Sequence, residues 1–217
     1  MRRQVLALTL IASAAALAVP AHAEAQPNSP AATQLFLGPT GRAVPKGQGY
    51  FKAIELGVPF VQGGVTDRFS IGAGMPLVAM GQVLLVSPKY QIHRSASRST
   101  SIGVVGTLTQ WGSFGLGYVA HTIEFKTGAL HVSAVAPLSK HTSTRVTAVM
   151  VGAEHRISEH ATLLTENYIG PAGGWALVSG GGRLHGRRTT WDFGWLLQPT
   201  DPWRPAGGPM INAGWKF

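Results

Sequence analysis

Period-two alternation restricts the fold of this chain more than any other feature of its sequence. Apolar residues at every second position belong to strands with one greasy face. Seven segments carry the pattern cleanly. Phe69, Ile71, Ala73, Met75 and Leu77 oppose Ser70, Gly72 and Gly74. Leu84, Val86, Tyr90 and Ile92 oppose Leu85, Ser87, Lys89, Gln91 and His93. Ile102, Val104 and Leu108 oppose Ser101, Gly103, Thr107 and Thr109, and Phe114, Leu116, Tyr118 and Ala120 oppose Gly115, Gly117 and His121. Leu130, Val132, Ala134 and Ala136 oppose His131 and Ser133. Trp191, Phe193, Trp195 and Leu197 oppose Thr190, Asp192 and Gly194. Ile211, Ala213, Trp215 and Phe217 oppose Asn212, Gly214 and Lys216. Segments 50–64, 144–155, 160–168 and 174–184 read as strands of weaker alternation, and Gln34 to Gly38 makes a short twelfth. Helical periodicity is not convincing anywhere.

The connections alternate as well. Those at 65–68, 94–98, 123–128, 156–159 and 185–188 are mostly short and charged. Those at 39–49, 78–82, 110–113, 138–143, 169–173 and 198–209 include the two longest and hold much of the Pro and Gly. Short turns at one rim and longer loops at the other are the habit of outer-membrane barrels, and twelve strands put both ends on the short-turn side. Strands of about 9–11 residues match a tilted bilayer crossing. Ten strands is the alternative, if Gln34–Gly38 is not a strand or if Pro59, which lacks a ladder donor, ends its segment early.

The N-terminus reads as a targeting segment. Arg2 and Arg3 precede an almost unbroken apolar run from Val5 to Val19, and Ala21-His22-Ala23 is a small-x-small cleavage site. Residues 1–23 are therefore expected to be a secretory signal peptide, 24–33 a flexible lead-in and 34–217 the folded unit. Past residue 23 no apolar run is long enough for a transmembrane helix. Of the 18 Lys and Arg, 16 remain after residue 23 against 9 Asp and Glu, a net charge of +7.

Composition decides which way the faces point. The chain is 45% hydrophobic and only 12% charged, and its apolar stripes alternate with Gly, Ser and Thr rather than Lys and Glu. A solvated outer face carries more charge than that. In hydrocarbon every backbone donor and acceptor must pair internally, so a spanning sheet closes on itself with apolar side chains outward and small or polar ones inward. Tyr50, Phe51, Trp111, Phe114, Tyr168, Trp175, Trp191 and Trp195 lie near strand ends, where aromatic girdles form. The absence of Cys excludes disulfides, Cys-ligated zinc, thiol catalysis and an N-terminal lipid anchor on Cys.

The last strand ends Ile211-Asn212-Ala213-Gly214-Trp215-Lys216-Phe217. Ile211, Ala213, Trp215 and Phe217 resemble the C-terminal signal of bacterial outer-membrane β-barrel proteins, read by their barrel-assembly machinery. Leu35 to Thr40 (LFLGPT), Gly64 to Gly72 (GVTDRFSIG) and Leu163 to Tyr168 (LLTENY) are similar to phrases of a small, uncharacterised group of such barrels. The resemblance implies export through the Sec pathway to a bacterial outer membrane and no particular activity.

Charges inside strands narrow the function further. A lipid-facing charge at mid-bilayer costs about 2–4 kcal/mol, so Glu55, Lys89, Glu154, Glu166, Arg183 and Asp192 are expected to face the lumen or an interface. Glu154, Glu166, Arg183 and Asp192 fall on four consecutive strands and form the candidate lumen charge network. Arg183 and Asp192 flank one short turn and are the best pair within it.

Catalytic signals are weak. His121, His131, His141, His155 and His160 are scattered, Ser133 shares a strand face with His131, and no G-x-S-x-G elbow occurs. His155 and His160 straddle a turn, and no metal or other cofactor is expected. Gly180-Gly181-Gly182 lacks the Lys-Ser/Thr of a phosphate loop. Basic residues dispersed among turns suit lipid phosphates, including lipopolysaccharide, better than nucleic acid.

The expectation is an all-β, antiparallel up-and-down transmembrane β-barrel. Its role is structural or that of a narrow pore that weakly favours anions, without catalysis. The alternatives are an outer-membrane hydrolase acting on lipid or lipopolysaccharide, and a soluble exported β-barrel binder.

Overall fold

The computed structural model describes residues 32–138, 148–171, 174–199 and 206–217. The signal segment, most of the lead-in, and residues 139–147 (with His141) and 200–205 lie outside the described residues. The strands are β1 (Gly49–Ile54), β2 (Val58–Gly64), β3 (Phe69–Gly74), β4 (Val83–Arg94), β5 (Arg98–Thr109) and β6 (Gly112–Phe125). They continue as β7 (Gly128–Pro137), β8 (Ala148–Arg156), β9 (Ala161–Ile169), β10 (Ala176–His185), β11 (Thr189–Gln198) and β12 (Ala206–Lys216). Each pairs antiparallel with its neighbours in sequence, and β1 pairs with β12, so the barrel has no open edge. Gly49 and Phe217 exchange backbone hydrogen bonds of 3.2 and 3.1 Å at the closing seam. Both barrel ends lie at one rim, here the terminal rim, with turns 65–68, 95–97, 126–127, 157–160 and 186–188. The opposite, loop rim carries 55–57, 75–82, 110–111, 138–147, 170–175 and 199–205.

The faces are inverted relative to a soluble protein. On β11, Trp191, Phe193 and Trp195 are 39, 45 and 52% exposed, while Thr190 and Asp192 beside them are 3 and 2% exposed. Ile71, Tyr90, Ile92, Ile102 and Val132 are likewise exposed on the outside. Ser70, Ser87, Lys89, Gln91, Ser101, His131 and Ser133 are buried toward the axis. Phe51, Trp191 and Trp215 cluster on the outer face across the seam, with Phe51–Trp215 ring centroids 5.6 Å apart and Trp191–Trp215 6.2 Å.

Twelve strands are present, but not the twelve expected. Segment 50–64 is two strands, β1 and β2, joined by Glu55 and Leu56 at φ +50° and +51°, with Gly57 N–H donating to the Ile54 carbonyl at 3.1 Å. A hairpin turn with positive φ at both central residues ordinarily selects Asn and Gly there, which populate that region readily. Glu-Leu carries no such signal. Pro59 does not end a strand; it sits second in β2, opposite Ala53. Gln34–Gly38 is not a barrel strand and lies inside the lumen instead. The first three strands have six or seven residues, shorter than expected, whereas β4–β12 have nine to fourteen.

β6 presents its expected outer face to the inside. Tyr118 and Ala120 are buried, and Tyr118 lies opposite Gly103, where a Cβ would collide with its ring. Gly115 and Gly117 face outward beneath Leu138. Both faces of β6 are apolar, so alternation reveals the period but not the side. The same register turns Leu85, Val105, Phe114 and Leu116 inward near the loop rim, so that this part of the wall is apolar rather than polar. Tyr50, Phe114 and Tyr168 therefore belong to the interior and leave the expected girdle.

Candidate functional site

The lumen is occupied by the chain's own segment 32–48. Its first part is a hairpin: Gln34 bridges Pro39, Leu35 N–H donates to the Gly38 carbonyl at 3.0 Å, and Thr40 N–H to the Thr33 carbonyl at 3.1 Å. Thr40 Oγ1 closes its base on the Ala32 carbonyl at 2.9 Å. Pro39 has no N–H, and the arm is too short to extend a sheet. Most backbone groups of the hairpin tip have no strand beside them, and a buried backbone group must pair with something.

Wall side chains supply the partners. Lys52 Nζ donates to the carbonyls of Leu35 at 3.1 Å and Phe36 at 2.8 Å. Arg183 Nη2 reaches Leu35 O at 3.0 Å, and Asn212 Nδ2 reaches Phe36 O at 3.1 Å. Glu166 accepts from the N–H groups of Leu37 at 3.1 Å and Gly38 at 3.0 Å, and from Tyr168 Oη at 2.7 Å. Nearer the base, Lys89 Nζ holds the carbonyls of Thr33, Thr40 and Arg42 at 2.8, 3.2 and 3.2 Å. Gln91 Nε2 donates to Gly41 O at 3.1 Å, and Gly41 N–H donates to Thr122 Oγ1 at 2.8 Å. Cations meet carbonyls and a carboxylate meets amides, so the clasp is built of charge-assisted bonds.

Apolar packing completes the site. Leu35 and Phe36 are buried with Met150, Leu164 and Met210. Phe36 lies over Gly194, where a Cβ would fall 2.8 Å from its ring, and Leu35 presses on Gly152 in the same way. These two inward glycines are the recesses into which the hairpin fits.

Ion pairs balance the charges. Arg183 Nε meets Asp192 Oδ1 at 2.6 Å, and Lys52 lies 3.7 Å from Asp192 Oδ2. Arg42, on the inserted segment, meets Glu124 and Glu154 at 2.6 Å each. Burial alone would lower the Arg42 pKa. Glu154 and Glu124 outweigh it and raise the value above the ordinary guanidinium range.

All four residues of the expected network face the lumen, but they do not form one cluster. Arg183 and Asp192 pair. Glu154 instead meets Arg42, and Glu166 meets the backbone of the hairpin tip. The inserted segment links these groups. Lys52, Asn212 and Arg42 are not among the expected site residues: Lys52 and Asn212 bond main-chain carbonyls, and Arg42 meets Glu124 and Glu154 from a segment read as a connection, and neither arrangement leaves a residue pattern. Glu55 lies in the β1–β2 turn, and Gly180, Gly181 and Gly182 are ordinary members of the β10 ladder.

His131 Nδ1 bonds Thr122 Oγ1 at 2.9 Å, its Nε2 lies 3.9 Å from Glu154, and Ser133 Oγ has no partner among the described residues. No nucleophile–base pair forms there. His121 turns outward and bonds Thr100. Among the described residues no three His, Asp or Glu gather as metal ligands, and His155 and His160 do not converge with a third. Ile211, Ala213, Trp215 and Phe217 lie along or just past β12 at the seam. No protein-family model matches the chain, and no curated protein does either.

Proposed function

We propose that this chain is an outer-membrane β-barrel, exported through the Sec pathway and closed at rest by its own hairpin, with a structural or narrowly conducting role. The observation that carries this reading is the alternation on β10 and β11: large aromatics exposed outward, a buried ion pair between them inward. Hydrocarbon is the solvent that rewards such an arrangement. Val78, 99% exposed beside Leu77 and Met80, extends the apolar surface beyond the short strand β3.

The role requires no catalysis. Residues Ile211, Ala213, Trp215 and Phe217 present a terminal strand to the assembly machinery before β1 closes over it. Lipid phosphates at the terminal rim meet the basic residues in and beside the turns, which include Arg68, Arg98, Lys126, Arg187 and Arg188. Contact with lipopolysaccharide at the loop rim rests on loops outside the described residues. A passage opened by displacing the hairpin favours anions, because the chain after residue 23 carries +7.

Heat-modifiable gel mobility of the membrane fraction, followed by planar-bilayer conductance, tests the reading. The folded protein is expected to migrate faster than the boiled one and to conduct little. Recovery of the protein as a soluble species without detergent, with no mobility shift, contradicts it.

A further inference from the structure

Between the base of the inserted segment and the turns of the terminal rim lies a cavity of about 900 Å³. Its two carboxylates, Glu124 and Glu154, are both taken by Arg42. Arg94, Arg98 and Lys126 stand at its exposed mouth, and no carboxylate among the described residues pairs with any of them. Arg156 lines the cavity deeper in, at the end of β8. It is 9% exposed, and its guanidinium makes no hydrogen bond or ion pair with any described residue. Ser99 is 5% exposed on the same wall, and its Oγ is also without a partner among the described residues.

We propose that this vestibule is a binding site for a multivalent phosphate-bearing anion, held by Arg156 and Ser99 at the inner end and by Arg94, Arg98 and Lys126 at the mouth. Buried cations are normally matched by an anion or by hydrogen bonds, and among the described residues the Arg156 guanidinium has neither. A guanidinium presents a planar fork of donors that suits phosphate oxygens, and a hydroxyl adds one more. The volume lies within the range of small-molecule sites and exceeds what one inorganic phosphate needs, so the class is a phosphorylated small molecule or a phospholipid headgroup. The site needs only the folded barrel and does not depend on which membrane holds it.

Calorimetric titration of the full-length folded protein with pyrophosphate, in zwitterionic detergent at constant ionic strength, reads this directly. Saturable binding is expected, weakened by about tenfold or more in Arg156→Gln and less in Arg98→Gln, and unchanged in Arg68→Gln, whose turn does not line the cavity. Each variant is first shown to keep the heat-modifiable mobility of the wild type. If Arg156→Gln alone fails that check, Arg98→Gln with Lys126→Gln, both exposed, carries the comparison and is expected to weaken binding. Pyrophosphate heats no different from chloride, or equal affinity in the vestibule variants and Arg68→Gln, overturn the proposal. A second arm uses nanodiscs of phosphatidylcholine with or without phosphatidylglycerol. Loss of pyrophosphate binding in the anionic discs assigns the site to a headgroup, and retention assigns it to a soluble solute.

Discussion

Lys52, Arg183, Asn212 and Glu166 do for the hairpin tip what a neighbouring strand does for a strand. They satisfy main-chain groups from the side, and each carries more than one duty. Glu166→Gln keeps the shape and removes the charge from the acceptor of two amides. It is expected to weaken the clasp by about 1–3 kcal/mol, seen as faster hydrogen exchange at Leu37 and Gly38 with the barrel amides unchanged. Arg183 and Asp192 are a harder case. Removing one partner leaves a buried charge, so Asp192→Asn is expected to lower stability by about 3–5 kcal/mol in denaturant titration of the detergent-folded barrel. The pair was legible in the sequence because two opposite charges flank a short turn on inward-facing positions. The bonds of Lys52 and Asn212 were not, since backbone carbonyls exist at every residue and no spacing betrays which will be used.

Two elements decide how the barrel is closed. The β1–β2 turn forces Glu55 and Leu56 into left-handed backbone, at about 1–2 kcal/mol for each residue. Leu56→Gly is therefore expected to raise stability by about 1 kcal/mol, measured by unfolding in the same detergent. That turn is hard to read in the sequence because its two left-handed positions are Glu55 and Leu56 rather than Asn or Gly. The alternation of Trp191 to Leu197 was legible because large and charged residues share no face. The hairpin shows the opposite failure: LFLGPT has strand-like composition, but its length and Pro39 leave it without a ladder. Its seat depends on Gly152 and Gly194. Gly194→Val is expected to push Phe36 out of its recess and bring on conductance in planar bilayers, with heat-modifiability intact. Gly180→Val, on the outer face with open space around it, is expected to stay silent.

Across the whole molecule, charge and apolarity are sorted by position. Lys46, Arg68, Arg94, Arg98, Lys126, Arg156, Arg187 and Arg188 gather at the terminal rim, whereas the described loop-rim connections carry Glu55 alone. The sequence has two sets of connections, and the closed barrel puts the short charged set at the terminal rim and the other at the loop rim, with two exceptions. Segment 39–49 belongs to the lumen segment and reaches β1 at the terminal rim, while 55–57 joins the loop rim from neither set. What the pattern could not show is that the lumen has an occupant, since a segment satisfied by side chains from many strands has no periodicity of its own. The central claim is that the aromatic face looks into hydrocarbon. Single-tryptophan variants keeping Trp195, reconstituted in vesicles with bromine on the acyl chains, measure it directly. The account predicts strong quenching by the bromolipid and little by aqueous iodide; quenching by iodide with none by bromolipid contradicts it.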